Sequence, residues 1–154
     1  MAPMGIVIAA AVLEEAREFF EECGSVGREG AAMIIAREGS AADRLLIPDQ
    51  RATPAPYCSV EVTWEGKLQM AAALALDDRY IARIHSHCLE AFHSPMDDRN
   101  PALTFQGALS IVVPYFGLGL RHGLEACALY QLRGRQWIVL APGRARDEVV
   151  QVAG

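Results

Sequence analysis

The apolar positions of this chain recur with two different periods, and the changes from one to the other outline its elements. Gly5 to Ala9 is a short apolar run that predicts a strand. From Ala11 to Cys23, the apolar residues Val12, Leu13, Ala16, Phe19, Phe20 and Cys23 return at helical spacing, and Gly24 is placed to close that helix. Ala31 to Ala36 is almost wholly apolar and bounded by charge and glycine, which predicts a buried strand, with Leu45 to Ile47 as a neighbour ending at Pro48. Arg51 to Pro56, rich in proline and small residues, reads as a loop. Ser59 to Thr63 alternates as a strand does, and Lys67 to Leu76 has a helical composition. Tyr80 to Ser86 returns to a strand.

After a loop from His87 to about Pro101, Ala108 to Val113 reads as a buried strand. Ala126 to Leu132 and Gln136 to Leu140 form a hairpin around Arg133-Gly134-Arg135. The polar stretch from Pro142 onward is expected to be peripheral. The sum is a mixed α/β domain, a curved mixed β-sheet flanked by two main helices, formed by residues 1–154 as a single unit without internal repeats.

Composition narrows the function classes. An apolar content of 52% fills one core, and a net charge of -5 does not provide the basic surface that neutralises a phosphate backbone, so nucleic acid is not an expected partner. The apolar opening from Met1 to Leu13 has no basic residue ahead of it and runs directly into Glu14, Glu15, Arg17 and Glu18, so it reads as folded protein rather than a signal peptide. No window approaches the roughly 20 apolar residues of a membrane span. Cys23, Cys58, Cys88 and Cys127 are widely separated, form no CxxC pair and fit a reducing cytoplasm better than a disulfide framework.

The candidate chemistry lies between Ile84 and Asp98. On a strand, residues two apart face the same way, so His85 and His87 can offer both imidazoles to one metal ion, with a third ligand returning from the loop beyond. An isolated His-x-His is ordinarily a pair of solvated or hydrogen-bonded rings. Here three of the four histidines, His85, His87 and His93, fall within nine residues, and Ser94-Pro95-Met96-Asp97 follows. Two histidines and a carboxylate, with one position left for water, is the ligand set of a catalytic zinc site.

These residues resemble the signature of the JAB/MPN (JAMM) metalloenzymes, a distant Glu, then His-x-His, then Ser-x-x-Asp. His85-Ser86-His87 and Ser94-Pro95-Met96-Asp97 match the latter parts, and Glu29-Gly30-Ala31-Ala32-Met33-Ile34-Ile35-Ala36 matches the Glu-led strand. The order of elements from Gly5 to Leu140 also resembles the bacterial branch. Glu90-Ala91-Phe92-His93-Ser94 and the doublet Asp97-Asp98 are similar to members found beside ubiquitin-like proteins and their E1-like and E2-like enzymes.

The resemblance implies the MPN/JAB, cytidine-deaminase-like architecture and a Zn2+ ion held by His85, His87 and Asp97. Glu29 would act as general acid-base and Ser94 as a donor to the oxyanion. It further implies peptidase or isopeptidase activity after the C-terminal glycine of a ubiquitin-like protein, with E1-like and E2-like partners and a possible place in antiviral defence. Ser94 also suits a helix N-cap before Pro95, and Asp98 is an alternative third ligand or an acceptor orienting an imidazole. Cys88 departs from the family pattern, which has proline there, and reads as a bystander thiol in preference to a redox-sensitive or inhibitory one. The alternatives to the peptidase are a catalytically silent scaffold domain and a peptidase acting on a small-molecule conjugate.

Overall fold

The computed structural model describes residues 5–91, 103 and 105–154. Among the described residues, one eight-stranded sheet carries the fold, in the order β10-β1-β3-β2-β6-β7-β8-β9. The strands are β1 (Ile6–Ala9), β2 (Ala31–Arg37), β3 (Ala42–Leu46), β6 (Asp78–Ser86), β7 (Leu109–Val113), β8 (Ala128–Arg133), β9 (Gln136–Val139) and β10 (Val150–Ala153). β4 (Gln50–Thr53) and β5 (Ser59–Val62) form a separate hairpin, and α1 (Ala10–Gly24), α2 (Trp64–Ala72) and α3 (Arg144–Val149) are the helices. The sheet is mixed: β1 runs parallel to both β10 and β3, and β6 runs parallel to β7, while the remaining pairs are antiparallel. It curls strongly into a half-barrel, the mixed α/β architecture that the hydrophobic pattern predicts.

Strand β2 shows why its sequence is nearly all apolar. Ala32, Ile34 and Ala36 join the core beneath α1, with Val12, Ala16, Phe20, Ile84 and Ile111. Met33 and Ile35 point the other way, into a second cluster with Met70 of α2, Tyr80 and Ala108. Both faces are covered, so alternation is lost and a continuous apolar run results. Tyr80 also donates its hydroxyl to the carbonyl of Met70, tying α2 to β6.

Helix α1 packs Phe20, fully buried, against the sheet, a contribution of about 1.5–3 kcal/mol for a side chain of this size. The segment Tyr115–His122, 3-10 turns interrupted by a kink at Phe116 and Gly117, lies across α1. Contact is close enough that a Cβ on Gly117 (φ +92) would stand 2.5 Å from Phe20 Cβ, so the position requires glycine on two counts. Arg121 and Arg17 both pair with Glu21, linking the segment to the helix.

Four expectations need correction. Gly24 does not close α1: the helix runs through it to a right-handed cap at Ser25, and glycine is needed there because a Cβ would meet Phe116 at 2.5 Å. α2 starts and ends earlier than its composition predicts, because Thr63 caps it by accepting from the Gly66 N–H at 3.1 Å. Part of Arg51 to Pro56 is strand rather than loop, since Arg51, Ala52 and Thr53 pair with Glu61, Val60 and Ser59. The polar C-terminal stretch is not peripheral: β10 pairs in register with β1 from Ile6↔Val150 to Ala9↔Ala153, and Val150 and Arg146 are buried. Arg146 donates to the carbonyls of Leu140 and Leu124, each at 2.9 Å, so its charge serves as a clamp on two loops. No helix among the described residues is long and apolar enough to cross a membrane.

Candidate functional site

The ladder between β2 and β6 brings the acid and the first histidine together. Ala31 pairs with His85, and beyond that pair the Ser86 N–H donates to Gly30 O while the Gly30 N–H donates to Ser86 Oγ, both at 2.9 Å. A Cβ on Gly30 would point into Phe19 and Phe20 of α1 (2.8 and 3.1 Å), so Gly30 and Ser86 face that helix. Alternation then turns Glu29, Ala31, His85 and His87 to the opposite face. Glu29 and His85 are both buried. The Cys88 N–H donates to Glu29 Oε2 at 2.9 Å and fixes the carboxylate at the end of β6.

The two imidazoles converge. His85 Nε2 and His87 Nε2 stand 3.1 Å apart, with ring centroids 4.9 Å apart. Two histidine nitrogens on a tetrahedral zinc are separated by roughly 3.3 Å for bonds of about 2.0–2.1 Å, so the pair already has the spacing of metal ligands. Arg83 Nη1 donates to His85 Nδ1 at 3.3 Å, and His87 Nδ1 lies 3.3 Å from Glu90 O, to which it can only donate.

Strained backbone gathers around this point. Among the described residues, the non-glycine residues with positive φ are Cys58 (φ 32), Tyr115 (φ 55) and Phe116 (φ 54). Each costs on the order of 1–3 kcal/mol. The Tyr115 and Phe116 N–H groups donate to Leu89 O (2.8 Å) and His87 O (2.7 Å), so the strained turn braces the segment that follows the histidines. Beside it opens a cleft of about 640 Å³ lined in part by Glu90, Tyr115, His122 and Arg146.

Cys58 is the neighbour that sequence spacing does not reveal. Its thiol, the Cys88 thiol and a Glu29 carboxylate oxygen all lie within 4.8 Å of one another, a donor set able to hold a metal ion. Burial first, then the hydrogen bond with Cys88 and the charges of Cys88 and Glu29, push the Cys58 thiol up to about 12. Cys127 is likewise pushed up to about 12 by burial, against the opposing charge of Arg146. Cys88 therefore adjoins both Glu29 and a second thiol.

Of the site residues that the sequence nominates, His85 and His87 converge at the end of β6, and Glu29 reaches the same strand end through the Cys88 N–H. Ser94 and Asp97, together with His93, Asp98 and most of the loop assigned from His87 to Pro101, lie outside the described residues. The contribution of Cys58 could only be found through the pairing of β4 with β5, which places its loop beside β2: the Ala55 N–H donates to Gly27 O at 2.8 Å.

No family model matches the sequence, and no curated protein is significantly similar to it. Solved structures are. A JAB1/MPN domain protein from Archaeoglobus fulgidus superposes with a TM-score of 0.56 at 14% identity, over 97% of this chain and 100% of that one. A protein from Desulfitobacterium hafniense, determined in solution, superposes with a TM-score of 0.58 at 11% identity, over 96% of this chain and 92% of that one. The fold of this chain is thus that of the MPN/JAB domain.

Proposed function

We propose that the chain is a zinc-dependent peptidase that cleaves after the C-terminal glycine of a ubiquitin-like protein, in deconjugation or in precursor processing. The observation that carries this reading is the convergence of two imidazoles, His85 and His87, at the end of β6, where the Cys88 N–H also holds Glu29, within an MPN/JAB fold. His85 and His87 fit zinc in atom type and in separation, and Asp97 would supply the third ligand. Bound there, zinc would supply a Lewis acid and bring the pKa of water down to about 7.

The residues of the chain do the remaining work. Glu29 takes the proton of the attacking water on its carboxylate and returns it to the leaving amine, assistance typically worth about 10²- to 10⁴-fold. The Cys88 N–H holds one of its oxygens and so fixes the orientation of the carboxylate. Ser94 donates its hydroxyl to the developing oxyanion. A slender Gly-Gly tail would bind in extended form by strand addition, with the backbone supplying much of the affinity. E1-like and E2-like proteins of the same pathway are the expected partners, and the cytoplasm the expected compartment.

The test is hydrolysis by the zinc-loaded protein of a ubiquitin-like fusion extended beyond its terminal glycine, compared with a short isopeptide. Cleavage of the fusion, reduced by at least about 10²-fold in Glu29→Ala, supports the reading. Turnover of only the short compound favours a small-conjugate peptidase, and no cleavage at full zinc loading favours a silent scaffold. Either result overturns the proposal.

A further inference from the structure

Glu29, Cys58 and Cys88 come from three separate segments, the entry to β2, the loop joining β4 to β5, and the residue pair after β6. Each is anchored. The Ala55 N–H ties the Cys58 loop to Gly27 O at 2.8 Å, and the Cys88 N–H is bound to Glu29 itself. The other thiols differ: Cys127 is buried and directed to Gly123 O at 3.8 Å, and among the described residues neither it nor Cys23 belongs to a cluster of metal donors.

The chemistry of the cluster is selective. Two sulfurs and one carboxylate oxygen suit a thiophilic divalent cation, whereas Mg2+ and Ca2+ take oxygen ligands. Donors on a tetrahedral zinc, with Zn–S about 2.3 Å and Zn–O about 2.0–2.2 Å, stand roughly 3.4–3.8 Å apart. The three donor atoms lie within 4.8 Å of one another, about 1 Å beyond that range, so binding requires them to draw together. We propose that Glu29, Cys58 and Cys88 form a second site for Zn2+ or a similar thiophilic cation, distinct from the His85/His87 pair and sharing none of its nitrogens.

Filling this site has a regulatory consequence, which rests on the peptidase reading in which Glu29 carries the proton. A cation held by the two sulfurs draws the Glu29 carboxylate into its own coordination. Excess zinc then suppresses the activity that zinc at the histidines supports. Both thiols release their protons to solvent when the cation binds.

Cobalt titration of the full chain, kept reduced with a phosphine, separates the two sites. Co2+ bound by thiolate gives an intense near-ultraviolet charge-transfer band, whereas binding by imidazole and carboxylate gives only weak visible bands. The wild type is expected to take up two equivalents, one of them carrying the near-ultraviolet band. Cys58→Ser/Cys88→Ser should lose that band and one equivalent, and His85→Gln/His87→Gln should keep it. Absence of the band in the wild type, or its survival in the double serine variant, overturns the proposal. Failure of the histidine site would instead remove the visible-only equivalent and leave the near-ultraviolet band in place. Inhibition of cleavage by excess Zn2+, absent in the double serine variant, would connect the second site to catalysis.

Discussion

Gln50→Ala tests how the Glu29-bearing segment is held. The nearest residue of β2 that β3 reaches is Met33, paired with Leu46, so Ala31 has no strand on that side. The Gln50 amide takes the place of one: its Oε1 accepts from Ala31 N at 2.8 Å, and its Nε2 donates to Ala31 O at 2.9 Å and to Pro48 O at 2.8 Å. Ala31 is 2% exposed, so water does not readily replace these bonds. A buried amide left unsatisfied costs about 1–3 kcal/mol, and with the weaker loss at the carbonyl the variant is expected to lose about 2–4 kcal/mol. For a domain of this size each kcal/mol lowers Tm by roughly 2–4 °C, so the midpoint should fall by roughly 4–16 °C. Thermal and urea unfolding give the measurement. A loss below about 0.5 kcal/mol, the scale of an ordinary surface substitution, would refute the reasoning.

Further expectations concern packing, acid stability and the imidazoles. Gly30→Ala forces a methyl group against Phe19 Cε2 and Phe20 Cδ1, so overpacking of about 1–3 kcal/mol is expected by urea unfolding; an unchanged midpoint would show that the aromatic rings yield freely. Asp78 is ion-paired with Arg44 and accepts from the Ala75 N–H, which together hold its carboxyl below the ordinary value of 3.8 in the folded state. Its contribution is therefore present above the unfolded pKa and disappears as pH falls through the lower folded one. Asp78→Asn should be less stable near neutrality and lose less on acidification below about 4, and parallel acid-unfolding curves would contradict this. Arg83 donates to His85 Nδ1, the nitrogen that must itself carry a proton when Nε2 binds a metal. Arg83→Met is accordingly expected to tighten zinc binding in a competition titration, and weaker binding would contradict this role for the Arg83 contact.

Much of the framework was legible because burial on both faces leaves a plain trace: the apolar run after Glu29 is β2, and the spacing of Phe19, Phe20 and their partners is α1. The His-x-His pair was legible because strand periodicity puts both rings on one side. Other features depended on contacts between distant segments. Val150 is buried only because β1 offers a free edge, and Gln50 matters only because β3 stops short of Ala31. The turn at Tyr115 and Phe116 takes a conformation that neither residue prefers, imposed by bonds to His87 and Leu89. Cys58 carries no local signal at all, since its significance lies in Cys88 and Glu29 across the fold.

The central claim is that one zinc ion bridges the strand and the loop beyond it at the end of β6. Anomalous diffraction at the zinc edge from crystals grown with the metal and without chelator addresses it directly. The account predicts a peak about 2.0–2.1 Å from both His85 Nε2 and His87 Nε2, with the Asp97 carboxylate completing the set and Glu29 nearby. Imidazoles turned apart, with no anomalous density between them, would contradict it.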